Sequence, residues 1–254
     1  MTTRGLTYKE GIEALARHAG VGPESPGLHR DRAAPSRARA AWPPDRRPAG
    51  PSVEQYVTEC EAFLWTRGGV SMRRWLARRG FEDEVLPANR IGADPGPRLL
   101  PRGEGLPRRG AGVVLPVLDE HGKAIYLQTR YLRADGHRYD NPSNALVGPP
   151  PRMEEVRLPF PAAREDVVLV CEGIPDALTV AQAQYRAAAV LGAGYPDERV
   201  AAGLVRRYPT GRLFLAFDAD ERGRAGAPEL AAALADRGES PPWVTSRFPP
   251  PSAT

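Results

Sequence analysis

The stretch Val167-Val168-Leu169-Val170-Cys171-Glu172-Gly173-Ile174-Pro175-Asp176 sets an unbroken apolar run directly before two acids and a glycine. Four consecutive apolar residues without polar alternation suit a strand covered on both faces, as in a parallel sheet. Pro175 then opens a helical pattern, so residues 176–185 are expected to form an amphipathic helix. Glu172 and Asp176 therefore fall at the carboxyl end of a buried strand, where open parallel sheets bind their ligands.

The same grammar repeats downstream. Apolar residues 187–191 give a second strand, 198–207 a helix, 213–217 a third strand, 229–236 a helix and 243–245 a fourth strand. Alternation at this spacing predicts a parallel α/β sheet with crossover helices. The third strand runs into Asp218-Ala219-Asp220. Residues i and i+2 of an extended chain point the same way, so these two carboxylates converge. Carboxylates that close repel each other unless a cation lies between them, and an all-oxygen set suits Mg²⁺. Glu172 would face them as a proton-transfer group or a further metal ligand, and Gly173 would let the chain turn sharply after it. The alternative is structural: Glu172 and Asp176 complement a helix dipole, and Asp218 and Asp220 cap a loop.

Upstream, Ser52 with Gln55 reads as a capping box opening a helix whose buried stripe is Val53, Tyr56, Val57, Cys60, Phe63 and Leu64. Gly68-Gly69 ends it, and Ser71 is placed to cap a second helix, with Met72, Trp75 and Leu76 facing inward. A short third helix spans 83–89, and residues 93–110 read as a loop rich in Pro, Gly and Arg. Residues 113–118 and 124–132 form a hairpin, residues 139–142 a turn, and the prolines of 148–161 a boundary between units. A short helix at 7–19 precedes a proline- and arginine-rich stretch, 21–51, with too little apolar surface to order itself.

The 254 residues include 26 Gly, 28 Pro and two Cys. Two cysteines cannot build a four-thiolate zinc site or a disulfide framework. No run reaches the roughly 18 apolar residues of a membrane span, and the first twenty residues are too charged for a signal peptide. A cytoplasmic protein without membrane attachment is expected. Basic residues, all arginine except Lys9 and Lys123, are in excess over 1–110, and acids over 111–254. That suits a polyanion-binding front half beside a cation-holding back half.

These motifs together resemble a family. Glu172-Gly173-x-x-Asp176 after one strand, Leu191-Gly192 after the next and Phe217-Asp218-x-Asp220-x-x-Gly223 after the third are similar to the topoisomerase–primase (Toprim) domain. Trp75-Leu76-Ala77-Arg78-Arg79-Gly80-Phe81 and Asn89-Arg90-Ile91-Gly92 resemble the catalytic core of bacterial DnaG-type primases. The series continues with Val114-Leu115-Pro116-Val117, Gln128-Thr129-Arg130 and Arg138-Tyr139-Asp140-Asn141-Pro142, in the order of that core. The resemblance covers about residues 55–236. It implies a disordered N-terminal tail (1–51), a basic α+β subdomain (52–160), a Toprim-type α/β domain of parallel sheet flanked by helices (161–247) and a short tail (248–254).

The activity so implied is primase-like nucleotidyl transfer, making short RNA primers on a single-stranded DNA template during replication. Glu172 would be the acid/base, and Asp218, Asp220 and Asp176 would hold Mg²⁺ or Mn²⁺. Arg79, Arg130, Arg138 and Asn141 would guide template and ribonucleoside triphosphates. A helicase or replication initiator is the expected partner, and a mobile element or phage the expected kind of source. Residues 1–51 hold no cysteine, so the family's zinc-binding module is expected to be absent, as is its helicase-binding region. No acid follows Glu239, where the family carries another acid-bearing segment; weakened metal affinity and activity would follow. Two alternatives stand beside a primase: a Toprim nuclease, and a non-catalytic relic that binds single strands.

Overall fold

The computed structural model describes residues 51–132, 138–191, 197–218, 220–239 and 243–246. The helix expected at 7–19, the proline-rich stretch up to residue 50 and the C-terminal tail lie outside the described residues.

Helix α1 (Pro51–Leu64) buries Val53, Tyr56, Val57, Cys60 and Leu64, the stripe its periodicity predicts. It already includes Ser52, so that serine lies within the helix and not at the expected cap. Helix α2 (Val70–Arg78) also departs from expectation at its start. Gly69 is the N-cap and Ser71 lies inside the first turn. A Cβ at Gly69 would sit 2.2 Å from the Leu64 carbonyl oxygen, so sterics fix this junction where a side-chain cap was expected. Met72 and Leu76 are buried, whereas Trp75 is only half-buried. A single turn, α3 (Val85–Ala88), follows.

The first sheet is antiparallel, in the order β1-β2-β3-β4: β1 (Gly92–Asp94), β2 (Gly112–Leu118), β3 (Ala124–Tyr131) and β4 (Tyr139–Asp140). The β2–β3 hairpin matches the alternation of its sequence. β1 and β4 occupy segments read as loop and turn.

After a turn of helix, α4 (Asn144–Val147), β5 (Met153–Val156) lies within the proline-rich stretch read as a boundary. It joins the second sheet, running antiparallel to β7 (Tyr185–Val190). That sheet also comprises β6 (Arg164–Cys171), β8 (Arg212–Asp218) and β9 (Trp243–Ser246) in the order β5-β7-β6-β8-β9, with β7 through β9 parallel. Its crossovers are α5 (Ile174–Gln182), α6 (Glu198–Arg207) and α7 (Glu221–Ala235). Helix α7 begins eight residues before its expected start at residue 229. Gly223, Gly226 and Pro228 make its first half read as loop, but the two glycines are buried against neighbouring elements.

Alternation on the central strands divides the core. Val167, Leu169 and Cys171 of β6 pack in one cluster with α5 and the first sheet, while Val168 and Val170 pack with α6 and α7 on the other face. The first cluster runs without a break from α1 to β8, so the two sheets share one apolar core. Polar bridges cross the same seam. Asn89 donates to the Arg157 carbonyl (2.9 Å) and accepts its N–H (2.7 Å). Gln182 donates to the Gly80 carbonyl (2.6 Å) and accepts the Glu82 N–H (3.3 Å), and Glu154 accepts the Leu118 N–H (3.1 Å).

Candidate active site

From β6 the chain passes through α5 to β7 on one side, whereas β8 lies on the other. The carboxyl ends of β6 and β8 therefore bound the crevice where strand order reverses, the ordinary ligand position of an open α/β sheet. Register holds Cys171 beside Ala216, which puts Glu172 just past the end of β6 and Asp218 at the end of β8. Glu172 reaches across the crevice, and its Oε2 accepts the Asp218 N–H at 3.1 Å.

The electrostatics are those of crowded anions. Burial pushes the Glu172 carboxyl up; the Asp218 N–H opposes this, the charges of Asp218 and Asp220 add to it, and Arg222 opposes it. Asp218 is open to solvent at its surface, yet the protein beneath it strips enough water to raise its carboxyl, and the charge of Asp220 raises it further. Burial likewise holds the Cys171 thiol protonated, with help from Asp176 and Asp218. It is a core thiol behind the acids.

Asp220 caps α7, with its Oδ1 accepting the Gly223 N–H at 2.9 Å. A Cβ on Gly223 would lie 2.0 Å from the Asp218 carbonyl oxygen, which is the steric reason for a glycine at that spacing. Gly173 is different from its expected role. Its φ of −154° is ordinary extended backbone, so no sharp turn depends on it. Asp176 stands in the first turn of α5, with Oδ2 3.5 Å from where a Gly173 Cβ would be.

Among the described residues no three His, Cys, Asp or Glu side chains gather closely enough to hold a metal by themselves. The acids form a rim and not a cage. Such a rim fits Mg²⁺, which takes one or two carboxylates, keeps several waters and completes its shell from phosphates. A divalent ion would also relieve the mutual repulsion that raises Glu172 and Asp218.

The basic residues singled out from sequence form a second cluster, on the first sheet and α2. Arg79 stacks over Trp75 (4.2 Å to the ring centroid), and Arg130 lies 5.6 Å from that ring and 5.1 Å from Tyr139. Arg130 also donates to the Tyr139 hydroxyl at 2.6 Å. The Arg79 guanidinium is held below its ordinary range, first by lost hydration and then by the charges of Arg130 and Arg138. Arg79, Arg130 and Arg138 thus share one field. Asn141 follows β4 and is exposed, its N–H donating to Asp140. Sequence reasoning placed Trp75 in the core and Tyr139 in a turn. The four-residue spacing of Trp75 and Arg79 was the available signal that they meet.

Residues 169–248 match the family model described as Toprim-like. No curated protein matches the chain. Among solved structures, a DnaG primase catalytic domain bound to single-stranded DNA is 21% identical, with a TM-score of 0.61 over 78% of this chain and 71% of that one. A DNA primase domain from Pseudomonas aeruginosa is 19% identical (TM-score 0.58, 77% and 72% covered). The RNA polymerase domain of Mycobacterium tuberculosis DnaG is also 19% identical (0.56, 77% and 74%). The C-terminal sheet is thus similar to a Toprim-like domain over those 80 residues. The two sheets together have the fold of a DnaG primase catalytic core.

Proposed function

We propose that this protein is a primase-type nucleotidyltransferase that makes short RNA primers on single-stranded DNA. One observation carries it: Glu172 and Asp218 meet across the switch-point crevice, each with a carboxyl raised by burial and by neighbouring negative charge. Stability alone does not favour that placement; a site awaiting cations and phosphates does. Asp218, Asp220 and Asp176 would hold Mg²⁺ or Mn²⁺. When bound, such an ion neutralises triphosphate charge and aligns an in-line displacement. Glu172, its proton affinity raised, is suited to take the proton of an attacking hydroxyl. Arg79, Arg130, Arg138 and Asn141 would hold template and nucleotide through their phosphates.

The test incubates the protein with single-stranded template, labelled ribonucleotides and Mg²⁺ or Mn²⁺, beside Glu172→Gln and Asp218→Asn. Short products that vanish in both variants support the proposal, whereas template loss without added nucleotides would mark a nuclease. A second reading, a binding protein without catalysis, draws on the missing three-ligand cluster among the described residues and on the Asp220 oxygen engaged in capping. It predicts no product and strand binding that survives Asp218→Ala with Asp220→Ala.

A further inference from the structure

Several arginines of this protein lie over aromatic rings, and most are neutralised. Arg102 beside Tyr56 pairs with Asp94; Arg186 and Arg207 beside Tyr208 pair with Glu155; Arg212 over Phe214 pairs with Asp166. Arg73 over Trp65 donates to the carbonyls of Leu64 and Thr66. The Trp75 cluster differs, among the described residues, in bringing two cations without a carboxylate partner to one ring. Among the described residues, Arg79, Arg130 and Arg138 form no ion pair with a carboxylate, the nearby Asp140 pairing with Arg109, although Arg79 and Arg130 approach the same ring. Bringing two unneutralised guanidiniums together costs energy that an anionic ligand would return. Trp75 offsets part of that cost, because each cation is attracted to the electron-rich face of the indole.

We infer that Trp75 is a positioning residue whose ring holds Arg79 and Arg130 within reach of each other to grip the phosphates of a single DNA strand. The inference rests on the proposed template-binding role of these arginines. A strand and a nucleoside triphosphate share the phosphate chemistry, and the strand is favoured because the cluster spans α2, β3 and β4 and does not centre on one backbone turn.

The experiment titrates the full chain against a fluorescein-labelled oligodeoxythymidylate by anisotropy at several salt concentrations. A fluorescent ribonucleoside triphosphate is titrated in parallel. Trp75→Leu keeps apolar bulk without a π face; Trp75→Phe keeps the face. Thermal melts report that both variants fold, and Phe serves as the comparison if Leu does not. Trp75→Leu is expected to bind the strand about five- to thirty-fold more weakly, from two lost cation–π contacts. Its log–log salt slope should fall by about 0.7–1.4, one or two phosphates' worth, and Phe should restore both. Triphosphate binding should weaken less than strand binding, because a nucleotide meets fewer of these cations at once. An unchanged slope and affinity in Trp75→Leu, or a loss confined to the triphosphate, overturns the role assigned to Trp75 while leaving template binding intact. Failure of the unmodified protein to bind the strand overturns both.

Discussion

Arg102→Met is expected to cost about 3–5 kcal/mol of stability, the usual penalty for removing one partner of a buried ion pair. Asp94 is fully buried and Arg102 nearly so, with side-chain exposures of 0% and 1%. Asp94 accepts two guanidinium bonds, one of 2.7 Å from Nη2, together with the Tyr56 hydroxyl and the Gly96 N–H, each at 2.8 Å. Methionine fills most of the arginine's volume but leaves the carboxylate with only those last two donors and no countercharge. It also releases the Pro107 carbonyl, through which Arg102 ties down the loop between β1 and β2. A loss of that size is a large part of the roughly 5–15 kcal/mol that holds a typical domain folded. Urea titration followed by far-ultraviolet circular dichroism measures it as a shift in midpoint at constant slope. Asp94→Asn added to Arg102→Met removes the orphaned charge and should recover more than half of the loss. A cost below about 1 kcal/mol for Arg102→Met, or a double variant no more stable than the single one, would refute the reasoning.

Two further outcomes follow from the candidate site. The raised Asp218 carboxyl means that the folded state binds its proton more tightly than the unfolded chain does. Ionising Asp218 therefore costs stability at neutral pH, and that cost disappears as pH falls through the folded pKa toward the ordinary aspartate range. Asp218→Asn should raise the midpoint of thermal unfolding at pH 7 by about 1–3 °C, and the gain should narrow on acidification. A lower midpoint at pH 7 would contradict the sign. Gly223→Ala forces a Cβ to within 2.0 Å of the Asp218 carbonyl, so the turn between β8 and α7 must shift. It should lose about 2 kcal/mol or more in urea unfolding and abolish the proposed primer synthesis, whereas Gly103→Ala, with open space around its Cβ, should do neither.

The parallel sheet was legible because its strands are long, apolar and punctuated by helices. The acids were legible because such strands end on them. Elements that lacked length were not. Three residues of β1 and two of β4 carry no measurable alternation and become strands only because β2 and β3 present paired edges. β5 hid among prolines, and its burial depends on β7. The front of α7 read as loop because Gly223 and Gly226 have poor helix propensity; the close approach of the Asp218 carbonyl explains the first of them. The contacts that join the two sheets left no local trace, since Asn89 meets Arg157 across 68 positions and Gln182 meets Gly80 across 102. The convergence of Arg79 and Arg130 was equally hidden, because like charges do not advertise proximity and the indole they share reads as core.

The apolar cluster that runs unbroken beneath both sheets bears on how such proteins can be inherited. Ile174, Ala177, Leu178 and Ala181 of α5 are buried in the cluster that also holds the first sheet, and α5 packs on α3, so the acidic half of the chain carries a face fitted to its neighbour. A recombination event between residues 140 and 153 would separate two surfaces that need each other's shape. The acidic half and the arginine half are thus bound to change in step, as one heritable unit.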